Sequence, residues 1–388
     1  MKIFHVIDSG GLYGAEVMLL YLMEEQCRMG LEPILASIGD PCCGEKPLEA
    51  EARRRGLRVE PFRMRPGPNI AGAFHVLRFA RHEEVDLLHS HGYKGNILFG
   101  LMPKSIRRIP MVATLHGWTS AGRMNRMWLY EWLDRLSLCF IDRVVIVNGA
   151  MRDRVKLKRI HVVDNGIPVY ESDISGRTED EKHQVDPEIK AFCHGGFTIG
   201  AIGRLSKEKG FGILLDALKE VADKYPEVRL LILGEGSERV ALKAKTTRLG
   251  LEDRVLMPGY VANARDYLHL FGVFAMPSLT EGLPIVLLEA MQAGVPIVAS
   301  RVGGMPDVLA HGRAGLLIEP GSIESVKQGI SEVLRAPAAA ELRMREAGQR
   351  VREEFSSRTM TNKYLEIYRR VVQSSSRSYR THQTRQTQ

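Results

Sequence analysis

Short apolar runs rich in β-branched residues recur along nearly the whole chain, each followed by an amphipathic stretch, and the alternation restarts near the middle. Strands too apolar to have a wet face, separated by helical patterns, are the signature of βα units around a parallel sheet covered on both sides. The predicted strands of the first series are 3–7, 33–38, 58–62, 86–89, 111–115 and 143–147. Those of the second are 198–202, 229–233, 255–257, 273–275, 296–299 and 315–318. The fold class is therefore α/β, with two Rossmann-like, doubly wound domains facing across a cleft where a ligand is expected. Between the series the sequence turns polar and mixed in charge (Glu171-Ser172-Asp173, then Thr178-Glu179-Asp180-Glu181-Lys182). The expected layout is an N-terminal domain over 1–170, a linker over 171–196 and a C-terminal domain over 197–355. A helix over 356–373 is expected to pack back towards the first domain. The tail, 374–388, is too polar to bury a core and is expected to be disordered.

A length of 388 residues fits two domains with proper cores, and 44% hydrophobic with 26% charged residues is ordinary for folded enzymes. The start, Met1 to Asp8, is too short an apolar run for an export signal, and no stretch is long and apolar enough to span a membrane. The expectation is a cytoplasmic protein. Cys27, Cys42, Cys43, Cys139 and Cys193 are scattered without C-x-x-C spacing, which suits reduced thiols. A formal charge of +8 favours polyanionic surroundings without choosing among nucleic acid, anionic lipid and phosphorylated substrates.

The most informative segment runs from Thr280 to Met291. Pro284 suits a first helical position, Gly282 allows close backbone approach, and the first-turn N–H groups, with Leu283 and Ile285 beside them, would face an anion. Glu281 lies just before this helix and Glu289 in its second turn, roughly 12 Å apart at the rise of an α-helix. That is about the span from the sugar to the ribose of a nucleotide sugar, and carboxylates accept hydrogen bonds from vicinal hydroxyls at both ends. As plain helix residues, Glu281 would only answer the dipole and Glu289 would sit on the surface, yet Glu289 interrupts an apolar face. In the loop Gly203-Arg204-Leu205-Ser206-Lys207-Glu208-Lys209-Gly210, Arg204 can grip a diphosphate through several donors, and Lys209 adds a compact charge.

Together these segments resemble family 4 of the retaining glycosyltransferases, also called group 1, with the GT-B fold. The E-x7-E signature falls at Glu281 and Glu289, and the G-R-L-x-x-x-K-G pattern at Gly203 to Gly210. Gly234-Glu235-Gly236 and Pro258-Gly259-Tyr260-Val261 stand where the family has its G-x-G and G-x-V turns. The resemblance implies a transfer in which Arg204, Lys209 and the helix N-terminus stabilise the leaving diphosphate. It implies too that Glu281 holds the donor sugar and Glu289 the ribose, with the base near Tyr260 and Val261. The implied activity is transfer of a hexose-type sugar to a glycan or lipid-linked acceptor in cell-envelope polysaccharide, lipopolysaccharide or glycolipid synthesis.

In the first half, Gly10-Gly11-Leu12-Tyr13-Gly14-Ala15-Glu16 follows the first strand without forming the dinucleotide fingerprint, because Ser9 stands where its first glycine is required. Its form resembles the family loop, with Gly11 and Gly14, that faces the donor phosphates and acceptor. The family also places at His116 a histidine that reaches the donor sugar, although Gly117 departs from the commoner aspartate. His89 and His91 lie at a strand end with no third metal ligand evident, and a cleft-lining role is expected for them. No D-x-D occurs, so neither a metal nor a cofactor beyond the nucleotide sugar is expected.

The basic, Trp-bearing stretch from Met124 to Leu133 suits a peripheral site on anionic lipid, although an apolar stripe of this kind commonly packs into its own core. No nucleic-acid module is visible. A nucleotide-sugar epimerase of the same architecture and a non-catalytic nucleotide-sugar-binding protein are the alternatives, and donor turnover separates them from a transferase.

Overall fold

The computed structural model describes residues 1–386 except 10, 66, 68, 117–125, 156, 158, 170–184 and 262; of residues 126–128, 153–154 and 376–386 it describes the backbone alone. Gly10, Gly117, Met124, Asn125 and most of the expected linker therefore lie outside the described residues. The chain divides into two compact units, Met1–Gly166 with Ser357–Gln388, and Ile167–Ser356.

The first unit holds β1 (Lys2–Ile7), β2 (Glu32–Gly39), β3 (Arg58–Arg63), β4 (Leu87–Ser90), β5 (Met111–Leu115), β6 (Arg143–Ile146) and β7 (Ile160–Val162). They form one seven-stranded sheet in the order β3-β2-β1-β4-β5-β6-β7, all neighbours parallel. The second unit holds β8 (Thr198–Ile202), β9 (Arg229–Leu233), β10 (Val255–Gly259), β11 (Val273–Met276), β12 (Ile297–Ser300) and β13 (Leu316–Ile318). Its six strands, also parallel, follow the order β10-β9-β8-β11-β12-β13. Each sheet reverses its winding once, between β1 and β4 in the first and between β8 and β11 in the second. β7 was missed because its three residues, all half-buried, carry too little apolar signal.

Alternation along β1 sorts its residues between two cores. Phe4 and Val6 join Ile34, Ala36, Val76 and Leu77 on one face, while Ile7 joins Leu19, Leu20, Met23 and Leu35 on the other. The last helix of the chain, Ser357–Gln386, packs beside the first, Gly14–Arg28. It buries Met360, Tyr364, Tyr368 and Val371 in the first unit.

Three expectations need correction. The segment taken as linker contains the helix Pro187–His194, capped by the Asp186 side chain, and this helix belongs to the second unit. The tail taken as disordered is helical through Gln386, since nothing between Ser357 and Gln386 is glycine or proline to stop the helix. The helix Arg126–Leu138 does not bury its apolar stripe. Leu129, Trp132 and Leu136 are 51%, 50% and 39% exposed, with Phe140 at 52% just beyond, while Glu131, Asp134 and Ser137 are buried. Asn96 Nδ2 donates to the Asp134 carboxylate at 2.8 Å, a buried polar contact that fixes this orientation, while the Ser137 hydroxyl donates to the Asp134 carbonyl of its own helix at 2.7 Å.

A buried cation anchors the strand that leads to His116. Arg107 is 1% exposed and donates to the Ile109 carbonyl at 2.9 Å, the Phe99 carbonyl at 3.0 Å and Asp142 at 3.0 Å. Asp142 also accepts the backbone N–H of Met111, at the start of β5, at 2.9 Å. Removing the carboxylate leaves a buried guanidinium short of its counter-charge, so Asp142→Ala is expected to lower stability by about 3 kcal/mol, read as a fall in the urea midpoint with an unchanged slope.

Candidate functional site

In the second unit, the loops after β8 and β11 meet where the winding reverses, the position at which open parallel sheets collect ligands. Three contacts lock the two loops together. The N–H of Leu279 donates to the Glu208 carbonyl at 2.7 Å. Gly210 sits at φ +68°, and a Cβ there would come 2.1 Å from the Pro277 carbonyl oxygen, so only glycine fits. Lys209 Nζ donates to Glu281 Oε1 at 2.6 Å, and the Ser278 hydroxyl reaches the same oxygen at 2.7 Å. Lys209 and Glu281 are 19% and 10% exposed, enough screening from water to make the pair stronger than a surface one. Among the described residues Glu281 Oε2 takes no such bond, which leaves it open to a ligand hydroxyl.

The loop after β12 supports the same backbone. Gly304 N–H donates to the Gly282 carbonyl at 2.9 Å, and a Cβ on Gly303, at φ +56°, would lie 2.1 Å from the Glu281 carbonyl oxygen. The helix that follows is Ile285–Gln292, and Pro284 is its N-cap in extended conformation, where the sequence suggested it as the first helical residue. Leu283 and Ile285 are buried and fix the helix entry, while Gly282 and Pro284 are half-buried. Glu289 falls in the second turn, half-buried and held by other protein groups. Arg204, 53% exposed, is paired with Glu208 at 2.7 Å. Tyr260 stands 61% exposed beyond β10, with Val261 half-buried beside it.

In the first unit, the winding reverses between β1 and β4, and the loops after these strands carry Gly11 and His91. A Cβ on Gly11 would meet the Tyr13 ring at 2.2 Å, whereas one on Gly14, at the start of the first helix, would meet nothing within 4 Å. Asp8 lies beside them, and burial raises its carboxyl above the usual range against the pull of Lys94 and Lys46.

Contrary to the sequence reading, His89 and His91 do meet a third histidine. His5, in the middle of β1, brings its ring within 4.8 Å of ligand atoms of both. The nitrogens are taken up by hydrogen bonds within the protein. His5 Nδ1 and His91 Nε2 are 3.0 Å apart, and His5 Nε2 is 2.8 Å from Gln26 Oε1. His89 lies 2.6 Å from the Tyr368 hydroxyl and 2.8 Å from Thr114 Oγ1, which in turn meets Tyr364 at 2.9 Å. His91 Nδ1 is 3.4 Å from Nε2 of the half-buried His116. Burial lowers the pKa of His5 and of His116 to about 4 and holds His89 and His91 well below the usual value, so all four are neutral at pH 7. The sequence signal for His5 and Gln26 was a polar residue at a core position of a strand and of a helix; for Tyr364 and Tyr368 it was their spacing of four on one helix.

Known proteins share this two-sheet fold. The profile of the glycosyl transferases group 1 family matches residues 184–351, and that of glycosyltransferase family 4 matches residues 13–170. Alpha-maltose-1-phosphate synthase of Mycolicibacterium smegmatis is 29% identical over 346 residues, covering 79% of this chain and 86% of that protein. The lipopolysaccharide core biosynthesis glycosyltransferase LpsD of Rhizobium meliloti is 34% identical over 176 residues, covering 45% of this chain and 50% of that one. Among solved structures, HepE of Anabaena in complex with UDP-glucose superposes with a TM-score of 0.79 at 22% identity, over 95% of this chain and 99% of that one. With profiles matching in order across both units and the GT-B fold in common, this chain belongs to the group 1, family 4 glycosyltransferases and is a sugar-transferring enzyme.

Proposed function

We propose that the enzyme moves a hexose-type sugar, with retention of anomeric configuration, from a nucleoside diphosphate sugar to a glycan or lipid-linked acceptor of the cell envelope. The observation that carries this reading is the Lys209–Glu281 pair at 2.6 Å, set at the switch point beside the start of the helix Ile285–Gln292. As the bond from the anomeric carbon to the diphosphate breaks, its electrons go to the diphosphate oxygen. Lys209, Arg204 on release from Glu208, and the first-turn N–H groups of the helix meet that charge. Glu281, with Oε1 engaged by Lys209 and Ser278, offers Oε2 to hydroxyls of the donor sugar. Glu289, in the second turn of that helix, takes the ribose. Leu283, Pro284 and Ile285 shape the turn around the phosphates, and Tyr260 with Val261 lies along the base. From the first unit, Gly11 and Gly14 are assigned to the phosphate-facing loop and His116 to the sugar, as the family resemblance implies. No metal is assigned a part in the transfer.

The acceptor and the place of work are read from a second surface. Leu129, Trp132, Leu136 and Phe140 form an outward apolar row, with the exposed cations Arg135, Lys104 and Arg108 on the same unit. Such a row beside cations suits the headgroup boundary of an anionic membrane, where a lipid-linked acceptor would be met. No helix among the described residues is long and apolar enough to cross a membrane, so contact would be peripheral. The similarity to LpsD supports the envelope assignment.

Two experiments test these assignments. In the first, purified enzyme is given UDP-, GDP- and ADP-sugars with a crude lipid extract, and nucleoside diphosphate release is followed. Glu281→Gln and Lys209→Ala are each expected to lower turnover about a hundredfold while the melting curve moves by less than about 3 °C. Full turnover in both variants would remove the pair from the site, and release of a free, rearranged sugar would make the enzyme an epimerase. In the second, sedimentation with vesicles is compared for wild type and the double variant Trp132→Ala, Leu136→Ser. Binding to phosphatidylglycerol vesicles is expected to weaken about tenfold or more on loss of this apolar area, and equal sedimentation of both proteins would defeat the membrane reading.

A further inference from the structure

The buried imidazoles of the first unit form a chain with a direction, and that direction follows from one amide. Gln26 presents its carbonyl oxygen, Oε1, to His5 Nε2 at 2.8 Å. An amide oxygen only accepts, so His5 carries its proton on Nε2 and is bare at Nδ1. His91 Nε2, 3.0 Å from that bare nitrogen, must then be the protonated one, leaving His91 Nδ1 bare. His116 faces His91 Nδ1 through Nε2 at 3.4 Å, a longer contact that still has only one workable polarity, and the remaining nitrogen of His116 is Nδ1. The neighbouring branch carries no such direction. His89 meets the hydroxyls of Tyr368 and Thr114, and hydroxyls exchange donor and acceptor roles by rotating.

We propose that Gln26, His5 and His91 are positioning residues that hold His116 as the Nε2–H tautomer, so that His116 offers Nδ1 as a hydrogen-bond acceptor to a hydroxyl of the donor sugar. This rests on the assignment of His116 to that sugar. It adds what the assignment leaves open, namely which partner His116 can recognise: a hydroxyl that donates, and not a carbonyl or a phosphate oxygen that only accepts. Burial supports the scheme, because desolvation keeps each ring neutral at pH 7 with a single proton to place. Gln26 and His5 are both 0% exposed, so water does not compete for their hydrogen bond. Gln26 is not assigned to any ligand above, and its amide oxygen reaches the chain through His5.

Long-range proton–nitrogen correlation spectra of the full-length protein, with its histidine rings labelled in nitrogen-15, read the tautomers directly. His5, His91 and His116 are expected as Nε2–H rings at pH 7, assigned by single replacement of each. An Nδ1–H or doubly protonated His116 in the wild-type spectrum overturns the proposal. Gln26→Met removes the acceptor at similar volume and is expected to shift His116 towards Nδ1–H, with kcat for transfer down about tenfold and donor KM within about twofold. Gln26→Glu, which keeps an acceptor oxygen, is expected to restore the Nε2–H signal. An unmoved His116 signal in Gln26→Met would overturn the role of Gln26. Separately, unchanged transfer by His116→Ala would overturn the assignment of His116 to the sugar, a result distinct from the tautomer spectrum.

Discussion

The Lys209–Glu281 pair joins two loops that leave their sheet on opposite sides of a winding reversal, and the geometry of the proposed donor side depends on it. A lysine and a glutamate 72 positions apart meet at 2.6 Å because β8 and β11 are neighbours although two strands separate them in the chain. The backbone contacts around the pair are unforgiving: Gly210 against Pro277 and Gly303 against Glu281 leave no room for a Cβ. A charge pair on such a base is held ready before a ligand arrives, which lowers the reorganisation needed when negative charge develops on a leaving diphosphate. The pair also offsets part of the desolvation that each half-buried charge would bear alone.

The first unit solves a different problem. Its sheet carries His5, His89 and Thr114 on the face covered by the first and last helices of the chain, and polar groups there must be matched among themselves. Tyr364 and Tyr368 supply hydroxyls for His89 and Thr114, and Gln26 supplies the oxygen for His5. The final helix is therefore part of the first unit's polar core as well as its apolar one. The helix Arg126–Leu138 shows the same logic inverted, because Asp134 finds its partner, Asn96, inside and the apolar row is left on the surface.

Much of this was legible in the sequence. Apolar runs located twelve of the thirteen strands among the described residues, since most of these strands are buried on both faces and must be apolar on both. Gly210, Gly282, Pro284, Glu281 and Glu289 could be placed at a loop and helix start because turn and helix-entry chemistry is local. Local rules also set the limits: Pro284 is the cap and not the first helical residue, and the helix Pro187–His194 was hidden in polar, charged sequence. The outward turn of Trp132 could not be read from periodicity, which shows that a helix has two faces without saying which one is inside.

What the amino-acid sequence determined by itself was the α/β class, the two-part organisation and the identity of the groups on the loops after β8 and β11, because each follows from short-range periodicity and from residue types with few physical roles. What only the tertiary structure decided was partnership: Lys209 with Glu281, His5 with His91 and Gln26, Tyr368 with His89. These pairs are 72, 86, 21 and 279 positions apart, and nothing in local sequence encodes a contact that exists only after parallel strands have been ordered by their crossovers.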